Sequence, residues 1–531
     1  MREWRYNIMR VLVSDKIAKE GIDILKSEFE VDVRTDLTSE QLKEIIKDYD
    51  ALVVRSQTKV TKEIIDCSNL KVIGRAGVGV DNIDVEAATM KGILVVNAPE
   101  GNTIAACEHT IAMMFAMARK IPQAVTSLKS GRWERNKFTG VQLSGKTLGI
   151  VGLGRIGKEV AKRALALGMN VVGYDPYIAR ENVENLNIML TDLNEVLRTS
   201  DFITFHVPLT KTTRQMIGEE QFKIMKDGVY IINCARGGII DEKALYDALV
   251  SGKVAGCALD VFEKEPPEDN PLLSLDNVIA TPHLGASTAE AQIVVAEEVA
   301  KDIIRALKGE IVKNPVNMVS VRPEEYSFIL PYIRLAEKMG CLYTQLKNGR
   351  IQEVEMIYGG RLANTDVKLV TTAGIKGLLS NILQIPANLI NAPIIARDRG
   401  IKITEKKIKE DEDAPGTVTM RVTTDKEVGI ISGYVLEKDS PRITKIDDYK
   451  IDLIPEGYVL ITNHKDKPGI VGKVGTILGK NDINIAAMQL GRKSYRGDAL
   501  MALSVDEEIP ESVLKEIKAI EDLKDAVFVK L

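Results

Sequence analysis

The sequence predicts an α/β protein made of several domains. Two successive series of short apolar strands alternate with amphipathic helices, a glycine-rich turn sits in mid-chain, and the last segment reads βαββαβ. The chain has 531 residues, too many for one core, and at roughly 100–200 residues per domain it divides into three or four. Hydrophobic residues make up 45% and charged residues 27%, the balance of a globular chain. Lys and Arg total 71 against 75 Asp and Glu, which argues against nucleic-acid binding by bulk charge. No apolar run reaches the roughly 18 residues of a membrane span, and the first six residues lack the apolar core of a secretory signal. Cys67, Cys107, Cys234, Cys257 and Cys341 are widely spaced with no CxxC pair. This argues against a disulfide scaffold or a metal centre and fits a reducing cytoplasm.

The first series has buried strands at Val11-Leu12-Val13, Ala51-Leu52-Val53-Val54 and Leu70-Lys71-Val72-Ile73, with helical spacing near 18–28, 40–47 and 61–66. The second series runs from 147 to about 284, and the apolar-rich helix near 289–308 can return the chain to the first. The predicted division is therefore a discontinuous first domain (9–105 and 286–315) holding an inserted second domain (106–285). After Asn314-Pro315 the character changes. Residues 316–455 carry no glycine fingerprint and include a charged, exposed stretch at 405–413, ended by Pro415-Gly416. In the final domain (456–531) a strand at 458–462 meets the turn Asp466-Lys467-Pro468-Gly469. A helix to about 480, strands near 484–490 and 498–505, a helix near 510–519 and a strand at 526–530 follow, which is the ferredoxin-like order.

Gly152-Leu153-Gly154-Arg155-Ile156-Gly157 is a GxGxxG between the strand 147–151 and a helix expected over 158–167. Gly152 permits the tight turn, Gly154 lets a pyrophosphate approach the backbone, and Gly157 lets helix and strand pack closely. The next strand, 170–174, ends at Asp175, where an acid can accept from ribose hydroxyls and repel a 2′-phosphate. The pattern therefore predicts a Rossmann-type dinucleotide site that prefers NAD to NADP.

Three further segments end apolar strands in the same domain: Asn233-Cys234-Ala235-Arg236, Leu259-Asp260 running on to Glu265, and Thr281-Pro282-His283. Ligands of doubly wound sheets sit at such strand ends. Histidine suits removal of a hydroxyl proton near neutral pH, a carboxylate can orient it, and a guanidinium can grip a substrate carboxylate. Cys234 reads as a packing residue beside the cofactor rather than as a nucleophile.

Taken together, GLGRIG, YDP, CARGGIID, ALDVFEKEPP and TPHLGAST resemble the D-isomer-specific 2-hydroxyacid dehydrogenases over residues 9–315. The resemblance implies a flavodoxin-like substrate domain around the nucleotide domain, with Arg236, Glu265 and His283 as the catalytic set. It puts cofactor contacts at Gly152, Gly154, Arg155, Ile156, Gly157, Asp175, Val78, Cys234, Ala235, Arg236, Asp260, His283 and Gly285. The segment His206-Val207-Pro208 would be the adenine-side loop. Substrate contacts would fall on Arg55, Ser56, Arg75, Gly77, Val78, Asn102, Arg236 and His283, with Arg135 adding a cation. Val78 stands where many relatives have Thr, so only its backbone is available.

The arginine supply resembles the phosphoglycerate dehydrogenases within that family. Residues 316–455 are similar to the intervening allosteric domain of their long form, and 459–531 to an ACT domain. The implied activity is NAD-dependent oxidation of 3-phospho-D-glycerate to 3-phosphooxypyruvate, opening serine biosynthesis. The implied effector is L-serine, held by His464, Asp466 and Asn484, and the implied assembly is a homotetramer or homodimer. Two other readings stay open at this point. One is a hydroxypyruvate or glyoxylate reductase, and the other is a NAD-sensing binding protein like the corepressors that share this fold.

Overall fold

The computed structural model describes residues 9–179, 181, 186–383, 387–408, 415–436 and 440–531. The N-terminal segment 1–8 and most of the charged stretch expected at 405–413 lie outside them. The first apolar runs are short strands that pair in parallel in the order Glu30–Val33, Arg10–Val13, Ala51–Val54, Val72–Arg75, Leu94–Asn97. Val11, Leu12 and Val13 are fully buried, because helices cover both faces of the sheet. The helices Lys19–Lys26, Ser39–Ile45 and Lys62–Cys67 connect the strands.

The second sheet is also parallel, in the order Val278–Ala280, Val254–Leu259, Val229–Asn233, Phe202–Phe205, Thr147–Val151, Asn170–Tyr174, Met189–Leu190. The order reverses between Thr147–Val151 and Phe202–Phe205, and a crevice opens at such a switch point. The helix after the fingerprint is Arg155–Ala166, three residues ahead of the expected start, with Gly154 as its N-cap. The second half of GxGxxG is therefore already helical.

The long helix Ala289–Leu307 is capped by Thr288, whose hydroxyl accepts from Ala291 N at 3.2 Å. It crosses the helix Lys19–Lys26 at Gly21, where a Cβ would stand 2.7 Å from Ala296 O. Within it the fully buried Asp302 accepts from Lys313 N at 3.0 Å and Asn314 N at 3.1 Å. That turn brings Pro315 back to bridge Val96 of the first sheet.

The third sheet has the order Lys402–Lys407, Ile351–Gly359, Thr417–Thr424, Val428–Leu436, Ser440–Ile446, Tyr449–Leu453, with only the first pair parallel. Against it pack the helices Pro323–Leu346 and Lys368–Ser380. The two helices touch at glycines: a Cβ on Gly377 would lie 2.0 Å from Glu337 O, and one on Gly340 2.4 Å from Gly374 O.

The fourth sheet is antiparallel in the order Ile485–Arg492, Asp498–Val505, Tyr458–Lys465, Leu523–Lys530, the ferredoxin-like topology. Alternation divides its side chains: Leu460, Met501 and Leu503 face its own helices, while Val459, Ile461, Leu500 and Ala502 join the core of the preceding domain. Gln345 binds both backbone groups of Lys530, at 3.0 and 3.1 Å. Asn388 Nδ2 reaches the first domain at Gly92 O, 2.7 Å away.

Candidate active site

The fingerprint glycines occupy three different environments. Gly152 has φ +98°, and a Cβ there would stand 2.6 Å from His206 O. A Cβ on Gly157 would meet Gly152 O at 2.0 Å, so helix and strand pack through it. Around a Cβ at Gly154 nothing lies within 4 Å, and no side chain caps the helix that begins at Arg155. An open, positively polarised helix start beside a bare backbone fits a pyrophosphate. Asp175 is fixed at its edge, accepting from Leu153 N and Tyr177 N, each at 2.9 Å.

Around this loop the other expected cofactor residues converge. Val207 packs on Gly152, the Pro208 carbonyl accepts from Thr213 Oγ1 at 2.6 Å, and His206 Nε2 lies 3.1 Å from Thr204 Oγ1. Burial pushes the His206 imidazole down to about 4, so it is neutral at physiological pH. Burial and then the Asp260 charge push the Cys234 thiol up to about 12. A thiol held in that state packs rather than attacks.

At the ends of the neighbouring strands, His283 Nδ1 lies 2.8 Å from Glu265 Oε2. Burial tends to raise the Glu265 carboxyl, but His283 and the Phe262 amide outweigh it and hold it below its ordinary value. His283 itself has φ +55°, a conformation that costs a non-glycine residue free energy. Asp260 enforces it. This fully buried carboxylate accepts from Thr281 Oγ1 at 2.5 Å, Leu284 N at 2.7 Å and Gly285 N at 2.8 Å. His283 N in turn donates to the Asp260 carbonyl at 3.0 Å. Burial raises the Asp260 carboxyl less than these donors and His109 lower it. His109 Nε2 stands 3.2 Å from both Thr281 Oγ1 and Asp260 Oδ1.

Arg236 leaves the nucleotide domain and meets the first domain. Its Nε binds Asp81 Oδ2 at 3.1 Å, and its guanidinium rests on Gly79, where a Cβ would be 2.0 Å from Nη2. Asn82 Nδ2 donates to Arg55 O and Thr58 O at 3.1 and 2.7 Å, tying together the loops that carry Arg55-Ser56 and Gly77-Val78. Asn97 Nδ2 donates to Val78 O. Arg75 lies across Gly77, and its Nε is buried with no partner among the described residues. Burial, then repulsion from Arg236, pushes Arg75 down to about 10, with Arg55 adding and Asp81 opposing. Asn102 is the N-cap of the helix Thr103–Ala118, and its Oδ1 is likewise buried without a partner among the described residues. Across the cleft mouth, Arg155 Nη2 binds Glu100 at 3.3 Å, which also holds Lys313 at 3.0 Å. The arrangement is a cleft that holds an imidazole paired with a carboxylate and several guanidinium groups.

One expected substrate residue lies elsewhere. Arg135 is exposed on a turn that leads to Val141, whose N bonds Ala118 O at the far end of the helix Thr103–Ala118. Nearby Gln123 binds Asp276 O, ahead of the strand Val278–Ala280. Arg135 thus sits at the opposite edge of the sheet from His283 and does not reach this chain's own cleft. The sequence placed it by motif, whereas the helix between them carries it away.

Comparison with known proteins agrees with this geometry. The family model for the NAD binding domain of D-isomer specific 2-hydroxyacid dehydrogenases matches residues 111–285. The D-3-phosphoglycerate dehydrogenase intervening domain matches 328–447, and the ACT domain matches 458–522. D-3-phosphoglycerate dehydrogenase of Methanocaldococcus jannaschii is 50% identical over 526 residues, covering 99% of this chain and 100% of its own. The Bacillus subtilis protein of that name is 42% identical with the same coverage. The chain belongs to the D-3-phosphoglycerate dehydrogenase family. It is a NAD-dependent oxidoreductase with the family's intervening and ACT domains. Among solved structures, D-lactate dehydrogenase from Aquifex aeolicus, complexed with NAD and lactic acid, is 33% identical with a TM-score of 0.53. It covers 58% of this chain and 98% of its own, which is the catalytic half.

In this member of the D-3-phosphoglycerate dehydrogenase family the three residues expected to hold an effector do not meet within one chain. The strand expected over 458–462 continues to Lys465, so His464 lies in the strand and is buried (2% exposed), not in an open turn. Burial pushes its imidazole down. Asp466 accepts from Arg492 Nη1 at 3.3 Å. Asn484 lies at the other end of the sheet, bonded to Glu507 and Asp506 at 2.7 and 2.6 Å. It precedes Ile485, which pairs with Val505, and Val505 pairs with Tyr458 at the start of the first strand. In a strand–helix–strand unit, the residue before the second strand belongs at the edge opposite the first strand's end.

Proposed function

We propose that the chain oxidises 3-phospho-D-glycerate to 3-phosphooxypyruvate, the entry to the phosphorylated route to L-serine. The observation that carries the reading is the His283–Glu265 pair at 2.8 Å, set beside Arg236 and two further guanidiniums, Arg55 and Arg75. With Nδ1 turned to Glu265, His283 keeps Nε2 for the substrate hydroxyl and takes its proton as hydride leaves the same carbon. Glu265 stabilises the imidazolium that results. Arg236 grips the carboxylate next to the reacting carbon, and Asn102 and the backbone of Gly77 and Val78 lie on its path. Arg55, Ser56 and Arg75 hold the phosphate. When bound, NAD supplies the hydride acceptor. Gly152, Gly154, Arg155, Ile156 and Gly157 would hold its pyrophosphate and Asp175 its ribose, with Cys234, Ala235, Asp260 and Gly285 left to its nicotinamide.

We also read the domains as bounded near 105, 285, 315 and 455, the helix Ala289–Leu307 returning to the first sheet. The assembly is read as a homotetramer or homodimer. Exposed Trp133, Leu128, Ile121 and Val125 (82, 58, 47 and 46%) give the nucleotide domain an apolar face for pairing. L-serine is the proposed effector. A site using both His464-Asp466 and Asn484 needs ACT domains from two copies, in keeping with such an assembly. The five free cysteines suit a cytoplasmic protein.

The deciding experiment follows NADH absorbance with a panel of phosphorylated and unphosphorylated 2-hydroxy acids, product being trapped. Preference for 3-phosphoglycerate supports the reading. Equal or better use of glycerate or glycolate moves the assignment to a hydroxypyruvate or glyoxylate reductase, and NAD binding without turnover moves it to a sensor.

A further inference from the structure

Asp15 stands just beyond the strand Arg10–Val13 and is 1% exposed. A carboxylate in such a place is tolerated only when its oxygens are met by donors. Its donors are Arg55 N at 2.6 Å, Gln57 N at 3.1 Å, Thr58 N at 3.1 Å and Thr58 Oγ1 at 2.6 Å. All of them belong to one stretch of chain, the loop that leaves the strand Ala51–Val54. Ser14 adds a contact from the same side, its Oγ 3.0 Å from Thr58 Oγ1. From the opposite side Asn82 takes the carbonyls of Arg55 and Thr58. The backbone of 55–58 is thus gripped through its N–H groups by a buried anion and through its carbonyls by an amide. With the backbone donors of 55–58 turned inward, Arg55 stands close enough to Arg75 for the two charges to repel, as Arg236 also does, while Asp81 and Asp15 oppose them.

We propose that Asp15 is a positioning residue for substrate recognition: it folds residues 55–58 into a rigid anion-binding loop and acts on the substrate through Arg55. Neutral loops close without a buried charge. A carboxylate fixes four donors at once, because an ionised acceptor bonds each more strongly than an amide would. The inference rests on the reading of Arg55 as a phosphate contact.

The test is the isosteric Asp15→Asn, which turns an NH2 toward backbone donors and loosens the loop. KM for 3-phosphoglycerate should rise on the order of ten- to a hundredfold, the range for losing a charge-assisted hydrogen bond, while kcat and KM for NAD stay within about twofold. In an Arg55→Ala background, Asp15→Asn should add less than about twofold, since both act through one contact. An unchanged KM, or a full multiplicative loss on top of Arg55→Ala, overturns the proposal. Should Asp15→Asn not fold, Thr58→Val decides: a several-fold rise in KM alone supports the loop, and no rise overturns it. The underlying reading is checked separately on wild type. If wild type does not prefer the phosphorylated acid, that reading fails. If it does and Asp15→Asn retains both the preference and the KM, only the role of Asp15 falls.

Discussion

The turn after Thr147–Val151 and the turn after Tyr458–Lys465 are locally alike. Each places a glycine at positive φ (Gly152 at +98°, Gly469 at +96°) ahead of a helix whose N-terminus no side chain caps. Only the first is met by a complementary group from its own chain. Asp175 follows the second strand of its strand–helix–strand unit and so lies at the same sheet edge as the fingerprint. Asn484 precedes its second strand and lies at the other edge. A polarised helix start is therefore common, and which side of the next strand the partner residue occupies decides whether one chain can complete the site.

The largest effect that could break this contrast concerns the chemistry beside the first turn. His283→Ala should lower kcat by about 10²–10⁴ with NAD affinity little changed. Stopped-flow hydride transfer and NAD titration measure the two separately, and a near-normal kcat would remove the base from the site. Next comes Arg236→Lys, which keeps a charge but loses the planar fork held on Gly79 and Asp81. Loss in kcat/KM should be about 1.5–3 kcal/mol. Asp175→Ala should then weaken NAD binding and narrow the NAD-to-NADP ratio, measured as the two dissociation constants. A constant ratio would mean that the acid at the sheet edge is not what selects the cofactor.

Smaller effects sharpen the comparison. Glu265→Gln removes a carboxylate that its pairing with His283 helps to hold below its ordinary value, and with it the charge that favours a protonated partner. The acid limb of the pH–rate profile should therefore shift downward, and an unmoved limb would dissolve the pair. At the second turn, calorimetric binding of L-serine should depend on Asp466→Ala and Asn484→Ala alike and should require assembled ACT domains. Binding to a dissociated single chain would show that one copy suffices.

Legibility in the sequence followed distance along the chain. GxGxxG and Asp175 lie within one strand–helix–strand unit whose geometry the spacing fixes, so the site could be read directly. The nearness of Glu265 to His283 was legible because the segments that carry them leave neighbouring strands of a parallel sheet, where all ends share an edge. Asp15 and His109 carry no motif, and Asp81 and Asn82 lie in the segment 74–82 without a role that the sequence assigns. Their partners lie 40, 172, 155 and 27 positions away, and only packing brings them together. Arg135 and Asn484 show the converse: the sequence named them, but a helix or a strand carries each to the far edge, so within one chain neither meets the residues it was expected to join.

The apolar face that Val459, Ile461, Leu500 and Ala502 turn toward the preceding domain has a consequence for how the regulatory half comes apart. A chain cut near residue 455 would leave two raw hydrophobic surfaces where there is now one interior, so each fragment alone should be sticky and short-lived. Heated intact, the last two hundred residues should melt in one calorimetric peak rather than two. A ligand that tightens either part would then raise that single transition, and the half that melts as one is the half that touches the first domain through Asn388 and the carbonyl of Gly92.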